Sequence, residues 1–522
     1  MNKFTKQLLV ASLVTLTGIA QVHGDTNKTH LTPRPAAVNL AMEKTTWHTQ
    51  IDHKHHKDNH KFGGSIVAVP FAEFSTNKSG LGKYFGFSNY NNLTVGLASS
   101  TVAGRVDRRH LIHNPLTAAL ATAYGATGFP FSTGGTPLAG NLNLEFSHRQ
   151  GGVHLYYRQA LDGLLKGLYF QISAPIVWSQ TRSRLNLSSS VTQSVDVSGY
   201  PSKSVADYFS GNITQSSSSF ATQSALAYSK ITGNRSKTAL SEIPLKLGWN
   251  FWVREAQHAG INIGITFPTG PKSKSVYLFE PLGGGNGQHW GLGAGIDTKF
   301  EPWKHHSQAL DILLVLDYRY LFKNSETRTL QLGNNSTHAD WSRYFLVGHV
   351  GTAGVQPLAN ISTGKCDVTP GNQVDFLAGL AYKNGGFTFD LGYNLYGRER
   401  EKVSKKFSID ETAATGYGLA ANGYDATHVF ALATDAALKT APTIGATSAY
   451  SASAAQLLNS DFDTGCAQSP TYVTHKIYGG LGYCFNRWET PLLLGLGADY
   501  EFASKQKALQ QWGLWGKVGI SF

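Results

Sequence analysis

Residues 512–522 read Trp512-Gly513-Leu514-Trp515-Gly516-Lys517-Val518-Gly519-Ile520-Ser521-Phe522. In an extended chain, successive side chains point to opposite faces. Trp512, Leu514, Gly516, Val518, Ile520 and Phe522 therefore share one apolar face, and Lys517 and Ser521 lie on the other. The same alternation recurs upstream. Leu492, Leu494, Leu496, Ala498, Tyr500 and Phe502 alternate with Gly495, Gly497 and Asp499, and Phe387, Phe389, Leu391, Tyr393 and Leu395 alternate with Thr388, Asp390 and Asn394. Leu310 to Tyr320 and Ile243 to Phe251 follow the same rule. Each run is about ten residues long, the length a tilted strand needs to cross hydrocarbon.

The N-terminus points to export. Lys3 and Lys6 precede an apolar stretch from Leu8 to Ala20 that ends at Val22-His23-Gly24, which reads as a signal peptide over 1–24. After it, no apolar run approaches the roughly 20 residues of a spanning helix. The longest, Ile312 to Leu316, is cut by Asp311 and Asp317. Charged residues make up only 15% of the 522, with 56 Gly and 3 Cys, so neither a nucleic-acid binder nor a disulfide scaffold is indicated. If the chain crosses a membrane, strands must do it, because only helices and closed barrels satisfy every backbone polar group in lipid.

The last strand, with Trp512, Leu514, Val518, Ile520 and the terminal Phe522, resembles the C-terminal assembly signal of bacterial outer-membrane β-barrels. That resemblance implies an all-β, transmembrane, antiparallel up-and-down barrel, delivered by the barrel assembly machinery and embedded in outer-membrane lipid. Turn lengths agree. Short connections at 162–166, 254–258, 301–308, 384–386 and 486–491 alternate with long ones at 179–241, 269–288, 323–373 and 402–471, the asymmetry of periplasmic turns and outer loops. Counting back from Phe522 gives about twelve strands from near Asn141, or fourteen if Phe62–Phe74 and Asn92–Ala98 also cross. The expected organisation is a His-rich periplasmic segment at 25–61, first strands or a plug at 62–138, and the barrel at 139–522.

On this pattern the lumen is lined by Glu145, Arg158, Lys246, Asp297, Lys299, Asp311, Asp317, Arg319, Asp375, Asp390, Arg398, Lys476, Asp499 and Lys517. Such a lining requires either water or tight ion pairing. A barrel of this width has room for an aqueous channel. The expectation is a porin-like channel for small hydrophilic solutes. The alternatives are a hydrophobic-substrate channel resembling the fatty-acid transporters, with an N-terminal hatch, and a surface adhesin or structural barrel acting through 186–240 and 402–471. A homo-oligomer is compatible with either.

Three further expectations concern chemistry. No Gly-x-Ser-x-Gly, His-Glu-x-x-His or phosphate-cradling loop occurs, so no enzyme and no cofactor are expected. His53, His55, His56 and His60 cluster without a ligand spacing that closes around a metal, and a solvated tail is the plainer reading. Cys366 and Cys466 fall near the ends of two long loops and are expected to form a disulfide, with Cys484 free.

Overall fold

A computed structural model describes residues 28–46, 62–76, 78–86, 140–187, 205–212, 220–254, 256–333, 355–412, 457–485, 490–503 and 507–522, with short stretches at 92–96, 105–107, 215–217, 342–344, 346–349, 416–419, 432–433 and 454–455. The expected signal peptide and the His cluster lie outside the described residues.

Twelve strands form the wall: β1 (Gly64–Ser75), β2 (Gly140–Ala160), β3 (Leu168–Leu187), β4 (Ile243–Arg254), β5 (Gln257–Phe267), β6 (Gly291–His305), β7 (Gln308–Leu321), β8 (Gly371–Asn384), β9 (Phe387–Arg398), β10 (Tyr472–Phe485), β11 (Leu492–Ala503) and β12 (Gln511–Ser521). Each pairs antiparallel with its sequence neighbours. The ring closes where β1 pairs with both β2 and β12. Gly64–Ser75 is thus a wall strand, whereas Asn92–Gly96 pairs with residues 140–143 beyond the ring, which leaves twelve crossing strands instead of fourteen.

The two faces of the wall differ as the alternation requires. Ile263 and Leu496 are 64% and 69% exposed, and Phe251, Ile477, Leu514 and Val518 point outward with them. A continuous apolar exterior of this kind has no place in water. Aromatic residues ring both ends of it. Phe74 stacks on Trp512 at the loop end, where Trp178 and Trp290 also lie exposed, and Trp249, Phe300, Phe387, Phe485 and Phe522 stand at the turn end, as amphipathic rings do at two lipid–water interfaces.

The loop end is covered. Asn324–Thr329 pairs with Thr363–Thr369, which pairs with Lys402–Lys405. Leu330, Leu332, Val347, Leu358, Val368, Val403 and Phe462 pack beneath into a small core of their own. Cys366 and Cys466 share this core but are not bonded to each other, so the expected disulfide is absent. The Cys466 thiol donates to Asp463 O at 3.0 Å instead. Burial pushes the Cys366 thiol up to about 11 and that of Cys466 to about 12, which keeps both protonated and unreactive.

Candidate functional site

The lumen is filled by the chain's own N-terminal part. Residues 28–46 do not hang from the turn end as a periplasmic tail. They run through the ring from the cap toward the turn end. Sequence dictates the path: the two prolines in Thr32-Pro33-Arg34-Pro35 hold an extended backbone, and Asn39 then caps a short helix, Leu40–Lys44, by accepting from Met42 N at 3.2 Å. At the cap, Thr29 N donates to Cys466 O (2.9 Å) and its hydroxyl to Thr329 O (2.6 Å). At the other end, Thr46 N donates to Asp390 Oδ2 (3.0 Å), and Lys517 Nζ donates to Glu43 O at 3.1 Å and also to Thr45 O. Inward glycines receive this end. A Cβ at Gly480 would overlap Thr45, and one at Gly482 or Gly495 would lie 2.8 Å from Thr46.

Charge pairing holds the segment midway. Arg34 Nη2 binds Asp375 (3.0 Å) and donates to Asn394 Oδ1 (2.8 Å), its Nη1 reaches Glu501 (3.3 Å), and the guanidinium lies 4.8 Å over the Tyr396 ring. Lys476 Nζ sits among Asp499 (3.2 Å), Glu501 (3.4 Å) and Glu73 (3.8 Å). Lower down, Lys44 Nζ binds Asp297 at 2.7 Å, and His258 meets the same carboxylate at 3.3 Å. Ions buried this way need partners on every side, because an unpaired one costs several kcal/mol, on the order of 3–5.

Thirteen of the fourteen expected lining residues point inward. Lys299 and Lys383 share Asp311, Lys246 pairs with Asp317 at 2.5 Å, Arg319 with Glu242, and Arg398 with Glu401 at 2.8 Å. Arg158 lies 3.9 Å over the Tyr169 ring. Glu145 does not belong with them: in β2 the even positions Leu144, Phe146 and His148 are buried, so Glu145 faces outward. Sequence reading missed Arg34 and Lys44, which sit on a segment with no strand alternation. It also missed Glu73 and Glu501, although their wall positions alternate correctly, and Glu242, which precedes β4 beside the equally buried Ser241.

A cap latch completes the arrangement. Glu401 accepts from Thr32 Oγ1 (2.8 Å), Arg398 (2.8 Å), Arg328 (3.2 Å) and Ser469 N (3.2 Å). Burial alone would raise its carboxyl, but Arg328 and Arg398 more than offset this and hold it well below the usual range. Beside it His30, whose Nε2 lies 3.1 Å from Thr32 Oγ1, is pushed down to about 3 by burial, with Arg328 adding to the shift. The sign for stability follows: the unfolded imidazole takes its proton near pH 6.5 while the folded one refuses it. Stability from this site is full above that pH and falls as pH drops toward 3, by at most about 1.4 kcal/mol per pH unit. Acidification from pH 7 to 5 is expected to lower the urea midpoint, and His30→Asn to flatten that dependence. An identical pH profile in the variant would remove His30 from the latch.

A cavity of about 70 Å³ lies inside, enough for a few waters. Ala37, Val38 and Leu40 of the plug bound it on one side, and Lys246, Asn262 and Asp317 of the wall on the other. It abuts Ser173 and Pro244, where the wall is weakest. β3 and β4 pair only from Leu168↔Trp249 to Ile172↔Leu245, five pairs against nineteen between β2 and β3. Beyond Ser173–Pro175, the partner of β3 becomes Asn234–Leu240. Pro175 and Pro244 have no N–H to donate across the gap.

A closed ring of even strand number, apolar outside, ringed by aromatics at both ends and charged within, decides the class. The fold is that of an outer-membrane β-barrel. No protein-family model matches the chain, and no curated protein matches it in sequence. Among solved structures, the barrel is similar to an outer membrane channel from Pseudomonas putida F1, at 9% identity and a TM-score of 0.35, covering 88% of this chain and 96% of that one. It is also similar to the CymD monoaromatic hydrocarbon channel, at 7% identity and a TM-score of 0.26, covering 94% and 97%. A FadL homologue from Pseudomonas aeruginosa aligns at 8% identity and a TM-score of 0.21, covering 95% and 99%.

Proposed function

We propose that this barrel is an outer-membrane channel, closed at rest by residues 28–46, that passes small apolar or amphipathic molecules. The observation that carries the reading is the cavity between the plug and the β3–β4 seam. It has an apolar side made by Ala37, Val38 and Leu40, and it meets the wall where the ladder is shortest. A molecule entering it has a short way sideways into lipid. Free diffusion of hydrophilic solutes fits the occupied lumen less well, because the inward charges are paired with one another and with the plug and line no open path.

The seam supplies the test. In a Ser173→Cys, Pro244→Cys double variant, oxidation should bridge β3 and β4. Uptake of naphthalene by cells carrying it is expected to fall at least tenfold on oxidation and to return on reduction. Uptake indifferent to the bridge, or arabinose-driven liposome swelling by the native chain at the rate of an open pore, would overturn the proposal.

A further inference from the structure

The ribbon made by β2 and β3 rises far beyond the wall, with 21 and 20 residues against 11 to 15 in the other wall strands. Its inner face is tied down: Leu144 and Phe146 are fully buried, and Phe85 and Phe279 pack on Phe146. Its outer face carries Arg149, Arg182 and Arg184 on adjacent strands. The register places Arg149 beside Phe74 on one side and Gln180 on the other, Ser147 against Arg182, and Glu145 against Arg184. Among the described residues, no ion pair, hydrogen bond or ring takes up any of the three guanidinium groups. By contrast, Lys323, which follows the exposed Phe322 just past β7, is held by Asp367 at 3.3 Å.

Height decides what these arginines face. Trp178 marks the aromatic belt, one outward row below Arg149. With a rise of about 3.3 Å per residue and a strand tilt of about 40°, Arg149, Arg182 and Arg184 stand about 5, 10 and 15 Å above it. The polar layer of a bilayer is about 5–8 Å thick on each side, so Arg149 stands within it, and Arg182 and Arg184 stand above it with long side chains that reach down toward its phosphate groups. Guanidinium forks bind phosphate oxygens in pairs.

We infer that Arg149, Arg182 and Arg184 form a binding site for the phosphate groups of the outer-leaflet glycolipid, lipopolysaccharide. The site rests on the outer-membrane reading above. It anchors one side of the barrel to the leaflet, on the strand that borders the weak seam. Binding weakens with salt, as surface charge pairing does.

The test uses the full chain and an R149Q/R182Q/R184Q variant, whose altered side chains touch no core. Both are floated with phosphatidylcholine liposomes containing either lipopolysaccharide or its dephosphorylated form, and the glycolipid retained after detergent extraction is measured by native mass spectrometry. A basic side chain near an anionic lipid surface is worth about fivefold in affinity, so the triple variant is expected to retain lipopolysaccharide about a hundredfold less tightly. Dephosphorylation should bring the native chain to the level of the variant. Glu145→Gln, which removes the carboxylate opposite Arg184, should strengthen retention. Equal retention by native and triple-variant chains, or indifference to the phosphates, overturns the site alone. Failure of both chains to float with any liposome overturns the membrane reading and the site together.

Discussion

Replacing Arg34 and Lys44 together with alanine is expected to turn a closed barrel into a conducting one. Arg34 is the contact of residues 28–46 with the most wall partners: Asp375, Glu501, Asn394 and the Tyr396 ring. Lys44 holds the short helix to Asp297. Truncation leaves Asp375, Glu501 and Asp297 facing no cation from the plug. Each broken buried pair costs on the order of 3–5 kcal/mol, more than the hydrogen bonds of Thr29 and Thr46 supply at about 1 kcal/mol each. Water entering to solvate those carboxylates displaces the segment. In a planar bilayer the double variant should show stepwise, ohmic conductance at least tenfold above the native chain, and a chain lacking residues 28–46 should match it. A double variant as closed as the native chain, with the deletion conducting, would show that shape and not charge seats the plug.

Lys476→Met is expected to be the most damaging single change in the wall. The ammonium is fully buried and faces Glu73, Asp499 and Glu501. Glu73 is otherwise served by amides, from Gln511 at 3.2 Å, Asn39 at 3.4 Å and Gln150. Methionine fills the volume but leaves three crowded carboxylates with Arg34 as their nearest cation. The expected loss is on the order of 3–5 kcal/mol, read as a lower urea midpoint and as earlier loss of the compact band on unheated gels. Lys476→Arg should recover most of it. A loss below about 1 kcal/mol, the scale of an exposed pair, would mean that water already reaches the site.

The wall was legible because its physics is local. Lipid on one side and polar contacts on the other force a period of two, and Trp512 to Phe522 displays it without help from any partner residue. The same rule misplaced Glu145, because above the membrane β2 meets a protein core on its inner side, and Leu144 and Phe146 turn inward while the charge turns out. The plug was not legible. Residues 28–46 have neither strand nor helix periodicity over most of their length, and Arg34 finds Asp375 and Glu501 hundreds of residues away. The cysteines show the same limit. Loop ends placed Cys366 and Cys466 in one small core, but a shared core does not bring two sulfurs into bonding position.

The interior that closes this barrel sets many buried ions among apolar side chains such as Val67, Val69, Leu313 and Leu377, where a soluble domain would place mostly hydrocarbon. Unfolding such an interior into water exposes much polar area, and polar exposure lowers the heat capacity of the unfolded chain where apolar exposure raises it. The dehydration of charge also becomes less costly on warming. A lumen knitted by Lys476, Arg34, Lys44, Lys299 and their carboxylates therefore holds its strength over a broad span of temperature, with a flat stability curve in place of a narrow dome.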